Sequence, residues 1–147
     1  GTLDGANIEI REEVGEDNFI TFGLTADEVM EMNQKQSYNA RELVENDPRL
    51  SQIMHQLVNG ELDILPKEAS LISDYVYRGN DEYYVMKDFD AYAKAQDKVG
   101  KLYRDEERWL KMAGVNIAKA GKFSSDLTIR EYAVGIWQVQ SIENEEE

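Results

Sequence analysis

Asn18-Phe-Ile-Thr-Phe22 is the stretch on which the fold class turns. It is short, aromatic and β-branched, and Gly15 and Gly23 bound it, which is the composition of a strand. Apolar residues fall on both sides of the alternation, at Phe19, Ile20 and Phe22, as in a strand covered on both faces of a parallel α/β sheet. A lone strand leaves its backbone N–H and C=O groups unpaired, so its partners are expected from outside the stretch. A strand without its sheet is expected to be covered by self-association or by rearrangement of residues 1–22.

Upstream lies the least ordinary run of the chain, Gly1-Thr-Leu-Asp-Gly-Ala-Asn-Ile-Glu-Ile10. Its glycines permit positive φ or close approach, Asp4 is placed to cap a helix, and a helix N-terminus near Gly5 attracts anions. Ile8 and Ile10 alternate as in a strand, whereas Ile10 and Val14 share a helix face. The cap and the charged Arg11-Glu12-Glu13 favour a short helix over 6–14, ended by Gly15.

Downstream the pattern is helical. Thr25-Ala-Asp-Glu28 is a capping box, and the helix it starts ends near 34–37. Asn39 caps 40–46. Asp47-Pro48 opens a helix carrying Leu50, Ile53, Met54, Leu57 and Val58 as a stripe, closed by Gly60. Leu71, Ile72, Tyr75 and Val76 mark the next, stopped by Gly79, and 82–86 reads as a short strand or an extended connector. Asp88 is expected to cap a long helix to about Arg104, Asp105 a second to Gly121, and Ser124 or Ser125 the last. The fold class expected from these elements is mainly α with one or two short strands, one unit over 1–140 followed by a disordered acidic tail at 141–147.

Composition narrows function by exclusion. A hydrophobic fraction of 41% and a charged fraction of 31% describe a globular chain of 147 residues. No apolar run reaches the roughly 18–20 residues of a membrane helix. No basic start leads into an apolar run, so no signal peptide is expected, and zero cysteines exclude thiolate chemistry and fit a reducing cytoplasm. The net charge of −14 argues against nucleic acid and against an anionic membrane; discounting the four glutamates of the tail still leaves the body at −10.

Little points to catalysis. His55 is the one histidine, without a second His or a Cys to build a zinc site, and no Ser stands in a nucleophile elbow. Carboxylates are too abundant for spacing to select an acid/base pair; only Asp4 and Glu9 stand out, through the run they belong to. No phosphate loop occurs. Gly121-Lys-Phe-Ser-Ser-Asp126 can hold an anion at Lys122, although a cap is the simpler reading. Trp109, Tyr132 and Trp137 fall at helical spacing and read as core rather than as a sugar-stacking platform.

Three runs, Gly1–Glu9, Gly15-Glu-Asp-Asn-Phe-Ile-Thr-Phe-Gly23 and Tyr38-Asn-Ala40, together with 88–104, 109–120, Gly121-Lys-Phe-Ser-Ser-Asp-Leu-Thr-Ile-Arg-Glu-Tyr-Ala133 and Ile136-Trp137, resemble the C-terminal region of α-glucan phosphorylases. That family includes the glycogen, starch and maltodextrin enzymes. The resemblance runs through the chain in order, is weakest over 61–86, and departs at Leu127, where the family's motif usually has arginine. It implies a two-lobed glycosyltransferase-B architecture, with this chain as the terminal part of the Rossmann-like C-terminal lobe. It further implies cleavage of α-1,4-glucan by inorganic phosphate to glucose 1-phosphate, with pyridoxal phosphate held by a lysine upstream of Gly1.

None of Lys35, Lys67, Lys87, Lys94, Lys98, Lys101, Lys111, Lys119 or Lys122 matches that lysine. No catalytic or cofactor-binding residue is therefore expected in this span, and Thr2, Asp4, Asn7 and Glu9 are expected to support the cofactor's neighbourhood from beside it. The chain is expected to be a structural, inactive fragment whose partner is the remainder of the enzyme, cytoplasmic, with glucan and phosphate reached only through that parent. A free-standing acidic helical interaction module is the rival reading, and a sugar-nucleotide glycosyltransferase of the same architecture a weaker one.

Overall fold

The computed structural model describes residues 1–139, so the acidic tail lies outside the described residues, and among those residues eight α-helices and no strand occur. In chain order the helices are α1 (Gly5–Val14), α2 (Ala26–Lys35), α3 (Ala40–Asn46), α4 (Pro48–Asn59), α5 (Pro66–Tyr77), α6 (Val85–Arg104), α7 (Glu106–Lys119) and α8 (Ser125–Glu131). A π-turn, Tyr132–Ile136, continues α8.

Local chemistry sets most boundaries. Asp4 accepts from Asn7 N–H and starts α1, and Gly15, at φ 83°, ends it by donating to Arg11 O. Thr25 and Glu28 form both halves of the capping box on α2. Side chains of Asn39, Asp47, Asp105 and Ser124 cap α3, α4, α7 and α8, each accepting a free N–H of the first turn.

Two expectations fail at the long helix. Asp88 is not its cap, because α6 begins earlier, at Val85. The buried Asp81 carboxylate receives the Val85 and Met86 N–H groups at 3.0 and 2.7 Å and does the capping from four residues before. The run 82–86 is accordingly neither strand nor extended connector. It is a tight turn, with Asp81 and Tyr84 at positive φ, that feeds directly into α6.

The expected strand is the main correction. Residues 16–18 form a 3-10 turn, and the chain then runs extended without a ladder. Its backbone groups are met piecemeal: Asn116 Nδ2 donates to Asn18 O, and Leu24 N–H donates to Asp88 Oδ1. One rung of pairing is present. Gly1 N donates to Ile20 O at 2.8 Å, and Phe22 N donates to Gly1 O at 3.1 Å. One residue bonded to two positions flanking its opposite number is the parallel pattern, so the residues have strand character but only a single paired residue.

The core gathers α3, α4 and α5 around Val44, Leu50, Met54, Leu57, Ala69 and Val76, with Tyr38, Met86 and Phe89 packed against it. Arg49 fastens this unit to α6. Its guanidinium bridges Asp47 and Asp90, both at 2.5 Å, and lies over the Phe89 ring. The α4 stripe is only partly internal: Leu50, Met54 and Leu57 are buried, Ile53 and Val58 exposed. On the other side α7 and the 3-10 turn after it support α1, through Lys119 and Lys122 reaching Glu13 at 3.2 and 3.1 Å.

Candidate functional site

The run that sequence singled out folds into a small polar knot. Thr2 Oγ1 donates to Asp4 Oδ2 at 2.8 Å, and Asn7 Nδ2 donates to the same oxygen at 2.8 Å. Asn7 N–H takes Asp4 Oδ1 at 3.0 Å. Three donors thus converge on one carboxylate, and these bonds, led by the Asn7 backbone N–H, hold Asp4 below the ordinary carboxylate range. The group is a charged cap, poised as an acceptor and poorly suited to act as an acid.

Glycine enters for one clear reason. A Cβ on Gly1 would stand 2.6 Å from the Asn7 side chain, whereas Gly5 has open space around it. The structure thus brings Thr2, Asp4 and Asn7 together, while Glu9 is exposed and outside the knot.

The other candidates resolve as ordinary contacts. His55 Nδ1 lies 3.0 Å from Asn59 Nδ2 on the exposed end of α4. Lys122, considered for an anion, is engaged by Glu13, and Ser124 caps α8. Trp109 packs edge-on against Tyr103 at 5.2 Å. Tyr132 and Trp137 sit together at 5.9 Å but remain exposed, so they are not core in this chain. All nine lysines are exposed, and none stands in an enclosed site where an imine with pyridoxal phosphate is shielded from water.

A second polar cluster, which sequence reasoning missed, is the better built. Asp81 is fully buried and accepts three hydrogen bonds, from Tyr38 OH at 2.6 Å and from the two α6 N–H groups. Next to it, Asn80 Oδ1 accepts from Ala40 N–H, and Asn80 Nδ2 donates to Tyr38 O. Burial, then the bond to Asp81 and its charge, push the Tyr38 hydroxyl far above its usual value. Tyr38-Asn39-Ala40 is thereby locked onto the start of α6. The available signal was Asn80-Asp81 directly after a glycine stop, a polar pair with turn chemistry. Nothing local, however, marked a partner 43 residues away.

A third feature is a groove of about 730 Å³ beside α6, between the Gly1 segment, α2 and α4. Phe22, Leu24, Val29, Val85 and Tyr92 line it, and Asp88 stands in its wall. Phe22 packs edge-on against Tyr92 at 5.3 Å. Gly23 is required here: its φ is +97°, and a Cβ would lie 2.6 Å from Asp88 Oδ2. Burial raises the Asp88 pKa, with the charges of Asp81 and Glu28 adding to it and the bond from Leu24 N–H opposing it.

The sequence profile of carbohydrate phosphorylases matches residues 1–139. Glycogen phosphorylase of Bacillus subtilis (strain 168) is 47% identical over 140 residues, covering 95% of this chain and 18% of the relative. The muscle-form glycogen phosphorylase of Rattus norvegicus is 44% identical over 142 residues, and the H isozyme of alpha-glucan phosphorylase from Vicia faba 45% over 143. Each covers 95% of this chain and 16% or 17% of the relative. The chain therefore spans less than a fifth of the length of these relatives.

Proposed function

Since this chain belongs to the carbohydrate phosphorylase family, we propose that it is the C-terminal portion of an α-1,4-glucan phosphorylase, structural by itself and without turnover of its own. The parent releases glucose 1-phosphate from glycogen or maltodextrin with inorganic phosphate and pyridoxal phosphate, in the cytoplasm. The observation that carries the reading is the match along 1–139 set against a share of only 16–18% of the relatives. A free-standing acidic module is the poorer account of that disproportion.

The chain's part is to build one side of a Rossmann-like lobe of a glycosyltransferase-B architecture. The single parallel rung at Gly1 supports a place for Asn18–Phe22 in the parent's sheet. The exposed Ile129, Ile136 and Trp137 support a last helix that packs back on the other lobe. Thr2, Asp4 and Asn7 fix the turn leaving the cofactor's neighbourhood, and Glu9 is the residue of that run with least to do. No helix among the described residues is long and apolar enough to cross a membrane.

Borohydride reduction of the 147-residue chain with pyridoxal phosphate is expected to give scattered surface adducts, and phosphorolysis of maltodextrin is expected to read blank. One dominant modified lysine, or turnover above buffer, overturns the reading. The coding sequence immediately before Gly1 tests the parent directly, since it is expected to contain the cofactor lysine.

A further inference from the structure

Among the described residues, α4 ends unlike the other α-helices. The residue after each of the others donates its backbone N–H to a carbonyl of its helix, whereas the N–H of Gly60 donates to none. Gly60 and the residue before it, Asn59, are exposed, and a Cβ at Gly60 would meet nothing within 4 Å. Asn59 is also the one asparagine of the chain that glycine follows. Every other asparagine precedes a residue whose Cβ crowds the peptide nitrogen between them.

The Asn59 amide is folded forward over that free N–H. Its Oδ1 accepts from Glu61 N–H at 2.9 Å, an Asx turn whose ring contains both the Asn59 Cγ and the Gly60 nitrogen. Its Nδ2 donates to Glu61 Oε1 at 2.5 Å and lies 3.0 Å from His55 Nδ1. The Glu61 N–H is thus aimed at the oxygen on which negative charge builds when Cγ is attacked. Turning the peptide after Asn59 to bring its nitrogen onto Cγ breaks no hydrogen bond of that N–H, because it makes none.

We propose that Asn59-Gly60 is a site of spontaneous deamidation, and that the carboxylate formed there weakens the junction of α4 with the loop leading to α5. Water is the co-reactant. The Gly60 nitrogen loses its proton to solvent and bonds to Asn59 Cγ, the Cγ–Nδ2 bond breaks, and Nδ2 takes up a proton and leaves as ammonia. Water then opens the cyclic imide at either carbonyl. The product is aspartate on the normal backbone or isoaspartate with the main chain routed through the side chain. Nothing is oxidised or reduced, and a neutral amide becomes a negative charge. That charge stands at the C-terminal end of α4, where the helix dipole disfavours it. It also faces Glu61, whose carboxyl is held below its ordinary value first by the Asn59 amide that is lost. The chemistry is independent of the phosphorylase reading.

Storage of the 147-residue chain at neutral and mildly alkaline pH in heavy-oxygen water, followed by peptide mass mapping, tests the site. An acidic form is expected to accumulate, faster at the higher pH, with heavy oxygen in the peptide that holds Asn59 and the other asparagines unchanged. Conversion spread across the asparagines overturns the proposal. So does a native chain that stays intact at Asn59 while the urea-unfolded chain converts, since the helix end then keeps Cγ away from the Gly60 nitrogen. Asn59→Gln keeps an amide but lengthens the side chain past the favourable ring, and it is expected to abolish the acidic form. An acidic form that persists in this variant places the chemistry elsewhere and overturns the site. The acidic form of the unsubstituted chain, separated by anion exchange, is expected to unfold at a lower Tm than the unmodified chain. An equal Tm overturns the weakened junction.

Discussion

The α3–α5 unit and the α8 arm obey the same helical spacing and end in opposite states. Val44, Leu50 and Val76 are 1%, 2% and 1% exposed, whereas Ile129 and Trp137, on an equally regular apolar face, are 55% and 58% exposed. Periodicity records that a face is made to be covered. It does not record by what. In the first unit the cover is the neighbouring helix of the same stretch, and in the arm no described element supplies it.

The largest expected difference comes from the core. Leu50→Ala should cost about 2–5 kcal/mol, through lost transfer energy and the cavity left behind, measured by denaturant unfolding. A loss as small as that of an arm mutant would break the contrast. Next, Asp81→Ala should cost about 1–3 kcal/mol, because it leaves the Tyr38 hydroxyl and two α6 N–H groups without an acceptor. Hydrogen exchange at Val85 and Met86 should rise with it, and unchanged exchange would separate the lock from the start of α6.

Acid sharpens the comparison by region. The hydrogen bonds and charge of Arg49 bring Asp47 from 3.8 down to about 2, so its folded value lies below its unfolded one. Its contribution is then fully present above about pH 4 and drains away as pH falls towards about 2. Glu13 and Glu28, also lowered, act in the same direction. Acid unfolding watched through Trp109 in a Trp137→Phe background should show this loss. Trp137 in a Trp109→Phe background should start with a solvent-exposed spectrum and change little. The smallest effect belongs to the arm itself: Trp137→Ala should alter the stability of this chain by no more than about 0.5 kcal/mol. A larger loss would mean that the arm is already packed.

What the sequence made legible was mostly what lies within one helical turn. Asp4, Thr25, Asn39, Asp105 and Ser124 were readable as caps because a cap needs only the next three residues. Asn18–Phe22 misled for the converse reason. Its composition is that of a strand, but a strand is a relation between segments, and only Gly1 is beside it here. Asp88 was misassigned because its partner, Leu24, lies 64 residues back, and Ile53 and Val58 looked internal because a stripe is wider than the face that a neighbour covers. The Gly1–Ile10 site was half legible. Thr2, Asp4 and Asn7 converge in one polar knot, and Glu9 is exposed outside it. The groove was illegible, since four separate segments meet to make it.

The lock between Asn80-Asp81 and Tyr38–Ala40 also bears on the order of events as the chain folds. The pairs α3 with α4, α4 with α5 and α6 with α7 are neighbours in sequence, and such contacts form early because little loop entropy opposes them. Tyr38 and Asp81 are 43 residues apart, so their meeting closes a loop that holds α3, α4 and α5. A hydroxyl, an amide and a carboxylate find their partners together at that closure. The lock therefore ties the first turn of α6 to the placement of helices 3 to 5 in the folded chain.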